Sequence, residues 1–170
     1  MNNQQLELQR GESPRGGFIL HDQKKTVHDP RTGLYWLRNA NYWAKPMMWH
    51  DAVNRVNRMN LDEFEGSTGW RLPTRDELIA ISIYAISAQS DNPKKTPFEF
   101  FLELGFDNVM PEWYWTSTPE TGAPNSDPAS FKYCVNMKEP DRESFDVTNK
   151  FYVWPVSASL LAARVKLVVA

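Results

Sequence analysis

Helix-forming periodicity is confined to residues 46–105, and strand-forming texture flanks it on both sides. That distribution reads as an α+β fold built on a largely antiparallel sheet. On the N-terminal side, FILHDQKKTVHDPRTGLYWLR reads as two or three short strands, with DPRTG (29–33) supplying the Pro and Gly of a hairpin connection. PMMWHDAVNRVNRMN (46–60) then places Trp49, Ala52, Val53, Val56 and Met59 at helical spacing, with Asp51, Asn54, Arg55 and Arg58 elsewhere on the wheel. This is an amphipathic helix packed by one face.

The next helix is announced by GWRLPTRDEL (69–78). Thr74 followed three residues later by Glu77 has the form of a capping box, in which each side chain satisfies a backbone N–H left without a partner at a helix start. Pro73 and Leu78 stand where a hydrophobic staple clamps the entering chain, and Asp76 and Glu77 put negative charge at the positive end of the helix dipole. The packet is therefore a structural joint, with ligand contact by Arg71 or Arg75 as the alternative. A buried stripe of Leu78, Ile81, Ala85 and Ile86 follows, and the pattern fades near Gln89. TPFEFFLELG repeats the grammar in small: Thr96 as cap, Pro97 at the first helical position, Glu99 closing a box and Gly105 as the stop.

Strands return at 112–118 (EWYWTST), 130–137 (SFKYCVNM) and 151–158 (FYVWPVSA). In the second, Phe131, Tyr133, Val135 and Met137 alternate with Lys132, Cys134 and Asn136, which predicts that the first set is covered. Polar, turn-rich connections at 118–129 and 138–150 separate these strands and are the natural places for a ligand. Residues 1–17 read as a loose arm, 18–158 as one domain, and 159–170 as an extension that adds a strand or makes a subunit contact, compatible with a homo-oligomer.

The order TVHDPRTGLYWLR, WHDAVNRVN, GWRLPTRDEL, YWTST and YVWPVS resembles the bacterial family named for the C-terminal domain of the Legionella collagen-like adhesin, over about residues 18–158. The resemblance implies a C-type lectin-like fold, with two main helices flanking a twisted antiparallel sheet. It also implies an extracellular or cell-surface adhesin that recognises glycans, including sulfated glycosaminoglycans. The sequence has no collagen-like Gly-X-Y stalk, so a stalk-borne trimer is not implied. MNNQQLELQRGESPRGG lacks the apolar core of a signal peptide, which leaves a cytoplasmic location or signal-independent export open.

Charge and composition narrow the chemistry. A net charge of −2 lacks the footprint of a general nucleic-acid binder, and no stretch approaches a membrane span. Each histidine precedes an aspartate (His21-Asp22, His28-Asp29, His50-Asp51), but only His50 falls on a predicted helix and no further ligand set accompanies the pairs. Glu139-Pro140-Asp141 is similar to the Glu-Pro-Asn triplet of calcium-dependent lectins, yet no Trp-Asn-Asp partner appears, and a plain turn is the preferred reading. Cys134, the single cysteine, lies on an alternating strand with no histidine nearby in sequence. No cofactor and no metal are implied. Basic pieces suited to sulfate are Lys24-Lys25, Lys94-Lys95, and Arg55 with Arg58 one turn apart, each also readable as solvated surface.

Seven Trp, nine Phe and six Tyr supply an aromatic core, or sugar-stacking rings if any face outward. Trp113 and Trp115 share one side of their strand, Tyr152 and Trp154 one side of theirs, and Pro155 marks Trp154 as the ring expected at an exposed strand edge. The reading that results is a non-catalytic module binding a carbohydrate through loops 119–129 and 138–150. Its contact residues are Trp154, Tyr152, Lys138, Glu139, Asp141, Arg142, Asn125 and Asp127. A protein ligand, in a phage, secreted or retroelement-diversified protein, is the alternative, as is a structural subunit of such an assembly.

Overall fold

The computed structural model describes residues 17–20, 25–91, 94, 96–122 and 127–159. The expected arm (1–17) and extension (159–170) therefore fall almost wholly outside the described residues, as do His21, Asp22, Lys24, Lys95 and Asn125. In chain order the elements are β1 (Ile19–Leu20), β2 (Thr26–Asp29), β3 (Leu34–Leu37), α1 (Trp49–Leu61), a 3-10 turn (Phe64–Gly66) and β4 (Trp70–Arg71). They continue with α2 (Arg75–Asp91), α3 (Pro97–Glu103), β5 (Trp113–Pro119), β6 (Phe131–Asn136), β7 (Arg142–Asp146) and β8 (Val156–Ser157). This is an α+β fold, compatible with the C-type lectin-like expectation.

The strands form two sheets where one was expected. One has five strands in the order β1-β2-β3-β8-β4 and the other three in the order β5-β6-β7, with antiparallel pairing between neighbours throughout. A parallel bridge joins Tyr114 of β5 to Tyr152 in the segment that leads into β8. The β2–β3 hairpin turns where DPRTG predicts: the N–H groups of Thr32 and Gly33 both donate to the Asp29 carbonyl, and Gly33 takes φ +73°, a backbone state that favours glycine. The last strand, β8, lies between β3 and β4, pairing Val156 with both Trp36 and Arg71.

The helices start as their sequences dictate. At α2, the Thr74 N–H donates to Glu77 Oε2 (2.7 Å) and the Glu77 N–H donates to Thr74 Oγ1 (3.2 Å). At α3, Thr96 and Glu99 close the second box, and Gly105 at φ +92° follows the last turn. In α1, Ala52, Val56 and Met59 are buried while Trp49 and Val53 are half-buried. Leu78, Ile81 and Ala85 bury one face of α2, joined by Ser82. Asn60, at the end of α1, clamps β4 by accepting from the Trp70 N–H (2.7 Å) and donating to the Trp70 carbonyl (2.9 Å).

The alternation expected of β6 fails at its start. Lys132 and Cys134 are buried, whereas Phe131 and Tyr133 are only half-buried. The cause is a ring on each side. Lys132 extends over Trp49, with Nζ 4.7 Å from the ring centroid, and donates to the Pro128 carbonyl, while Tyr133 is covered by Arg75. A lysine can be covered in this way because its methylene stem packs while its ammonium finds a carbonyl and a π face.

Candidate functional site

Of the eight residues expected to contact a ligand, seven are described, and one of these, Trp154, is buried. Trp154 is the clearest correction. It is 0 % exposed, its indole N–H donates to the Leu37 carbonyl (2.7 Å), and its ring packs at 5.0 Å from both Trp36 and Phe106. Pro155 marks no sheet edge, because the strand that follows it is flanked on both sides, by β3 and β4, and the Pro155 carbonyl accepts from the Leu37 N–H. Tyr152 is half-buried, with its ring 5.6 Å from Tyr114.

Lys138, Glu139, Asp141 and Arg142 are exposed, as a contact surface requires. However, 138–150 is not a long loop. Residues 142–146 are β7, so the four residues form or adjoin a tight hairpin tip. The Asp141 N–H donates to the Glu139 carbonyl, and Asp141 Oδ1 accepts from the Arg142 N–H, so that carboxylate serves its own turn. Asp127 is also exposed. The Ala129 N–H and Ser130 hydroxyl donate to its carboxylate and hold it below the usual carboxylate range. Asn125 lies outside the described residues.

The arginines of the 69–78 packet serve the architecture. Arg71 forks onto Glu77 at 2.8 and 2.7 Å, and the same Glu77 oxygen that caps Thr74 takes one of these bonds. Burial alone would raise the Glu77 carboxyl, but the Arg71 guanidinium and the Thr74 N–H together hold it below the usual range. The Arg75 N–H donates to Thr118 Oγ1 (3.0 Å) and its guanidinium lies 4.9 Å from the Tyr133 ring centroid, which fastens the start of α2 to β5 and β6. Pro73 adds a carbonyl that accepts from the Ser117 N–H (2.8 Å).

The His28-Asp29 pair is equally local. His28 stacks on Tyr35 at 4.4 Å, and Asp29 is held by the Arg31 guanidinium. Among the described residues, no group of three His, Cys, Asp or Glu side chains is placed to hold a metal ion.

What the structure does assemble is a basic groove of about 510 Å³ along the exposed side of α1. Lys45 precedes the helix, Arg55 and Arg58 project from it, and Lys150 reaches it from the end of the 138–150 segment. Against these four cations the lining carries a single carboxylate, Asp51. Arg58 pairs with Asp62 (3.1 Å), but among the described residues Lys45, Arg55 and Lys150 make no ion pair. The N-cap Met48 offers no side-chain acceptor to the first turn of α1, where the Trp49 N–H donates to the Val147 carbonyl (3.1 Å) instead. Pro46, Met47 and Met48 supply an apolar floor.

Only the Arg55 and Arg58 spacing was visible in sequence. Lys45 and Lys150 are brought to the helix by pairing between Met47 and Phe151, whose backbones exchange hydrogen bonds at 2.9 and 3.1 Å.

Among the described residues, three helices, two antiparallel sheets and a basic surface groove make up this α+β domain. The model of the Lcl C-terminal domain family matches residues 25–157, and the chain belongs to that family. A comparison with curated proteins found no match.

Proposed function

We propose that this domain is a non-catalytic recognition module that binds an anionic carbohydrate, with sulfated glycans as the preferred class, in the α1 groove. The observation that carries this reading is the convergence of Lys45, Arg55, Arg58 and Lys150 on one concavity in a chain whose net charge is −2. Sulfate and carboxylate groups accept charge-assisted hydrogen bonds from ammonium and guanidinium donors, and an apolar floor accommodates the faces of sugar rings. Family membership supports a place at the cell surface or outside the cell. The state of Cys134 supports a non-catalytic role: it is 0 % exposed, and burial pushes its thiol far above the range in which a nucleophilic thiolate forms.

The proposal moves the contact surface from the hairpin tip to the helix, retaining only the Lys150 end of the 138–150 segment. Titration calorimetry with a heparin-derived oligosaccharide tests it. Binding should weaken as salt is raised. It should fall at least tenfold in Arg55→Glu/Lys150→Glu and be lost on desulfation of the ligand. Undiminished binding by that variant would refute the groove. Failure of every sulfated glycan alongside capture of an acidic peptide would replace carbohydrate with a protein ligand.

A further inference from the structure

Four tryptophans in this fold place their indole N–H on a backbone carbonyl: Trp49 on Thr116, Trp70 on Phe64, Trp115 on Met47 and Trp154 on Leu37. Trp36 does not. It is 1 % exposed, and among the described residues its N–H has no acceptor. Buried donors in native proteins are paired as a rule, so an exception calls for a specific explanation.

Trp36 lines a cleft of about 240 Å³ between the β2–β3 turn and the first turns of α2. Leu34 and Trp36 share one side of β3, and Ala80 and Ile81 face them from α2, which makes the walls apolar. The charges at the mouth are closed on themselves. Asp29 is held in a fork by Arg31 at 2.9 and 3.0 Å, Glu77 is held by Arg71, and the Arg31 guanidinium also lies 3.8 Å from the Tyr84 ring centroid. A charged ligand would lose hydration there without meeting an uncompensated opposite charge. The volume suits one ring, being larger than a cavity of about 150 Å³ that holds benzene and smaller than a site of about 300 Å³ or more for drug-sized ligands.

We propose that this cleft is a second binding site, independent of the basic groove, for a small neutral aromatic compound bearing a hydrogen-bond acceptor that takes the Trp36 indole N–H. The two sites share no lining residue. Because Trp36 is covered, a ligand reaches its N–H only as the side chains over it give way, and the indole N–H is the reporter of occupancy.

The test is an NMR titration of the ¹⁵N-labelled full chain with acetophenone, using toluene as the ring without an acceptor. The Trp36 indole resonance should move downfield and saturate with acetophenone, and toluene should bind at least fivefold more weakly. Ala80 is exposed on α2, so Ala80→Phe can fold and fill the cleft. It should weaken acetophenone at least tenfold while leaving heparin binding unchanged. No saturable shift up to the solubility limit, an equal response in Ala80→Phe, or equal affinity for toluene would each overturn the assignment.

Discussion

Replacing Glu77 with Ala separates an architectural role for the 69–78 packet from a ligand-binding one. The substitution removes three contacts at once: the bond from the Thr74 N–H and the two bonds of the Arg71 fork. Loss of a helix-start cap costs about 1 kcal/mol. The Arg71 and Glu77 side chains are 40 % and 22 % exposed, so solvent screens the pair and its contribution is discounted to about 0.5–1 kcal/mol. The total is about 2 kcal/mol, which for a chain of this size lowers Tm by about 4–8 °C.

Urea unfolding followed by circular dichroism reads this loss directly. Glu77→Gln, which keeps an acceptor for Thr74, should lose about half as much. The pH dependence has a defined sign. Because the folded-state pKa of Glu77 is depressed, its contribution is complete above the ordinary glutamate value of about 4.3. It is lost as pH falls from there through the lower folded-state value. If Glu77→Ala costs under about 0.5 kcal/mol, below the range for a lost cap, and at the same time abolishes glycan binding, the packet is the working surface and the architectural reasoning fails.

Trp154→Ala should destabilise the fold by about 3–5 kcal/mol, as expected for truncating a fully buried aromatic side chain, measured by urea midpoint. Recovery of near-native stability would contradict the placement of that ring. Cys134 should stay unreactive to a thiol reagent at pH 8 in the native state and react only along the unfolding transition, because it is buried and its thiol is held protonated. Gly33→Val places a β-branched residue at φ +73° and should cost about 1–2 kcal/mol or more, read by thermal melting. An unchanged Tm would contradict the turn geometry.

The readable parts of this fold were those in which cause and effect lie within a few residues. Thr74 with Glu77 and Thr96 with Glu99 are reciprocal contacts across three positions, and the β2–β3 turn needs only Asp29 and Gly33. Parity and exposure in the later strands were not local. Lys132 is buried because Trp49, from a distant helix, passes beneath it. Trp154 is buried because its neighbour strand is inserted between two others. β7 is illegible as a strand in sequence because RESFD has the charged texture that edge strands use to discourage further pairing. The groove is hidden in sequence for the same reason as the burial of Trp154: sequence shows Arg55 near Arg58, and only a backbone bridge between Met47 and Phe151 explains why Lys45 and Lys150 join them.

The position of β8 bears on how the molecule is made. A ribosome delivers β1 to β4 long before Val156 and Ser157, so the growing polypeptide holds a three-stranded meander on one flank and a lone short strand on the other, each with a bare hydrogen-bonding margin facing the gap. Completion of this sheet therefore waits for β8. Until that strand arrives, the nascent protein offers chaperones, or neighbouring copies of itself, the slot that Val156 and Ser157 are destined to fill.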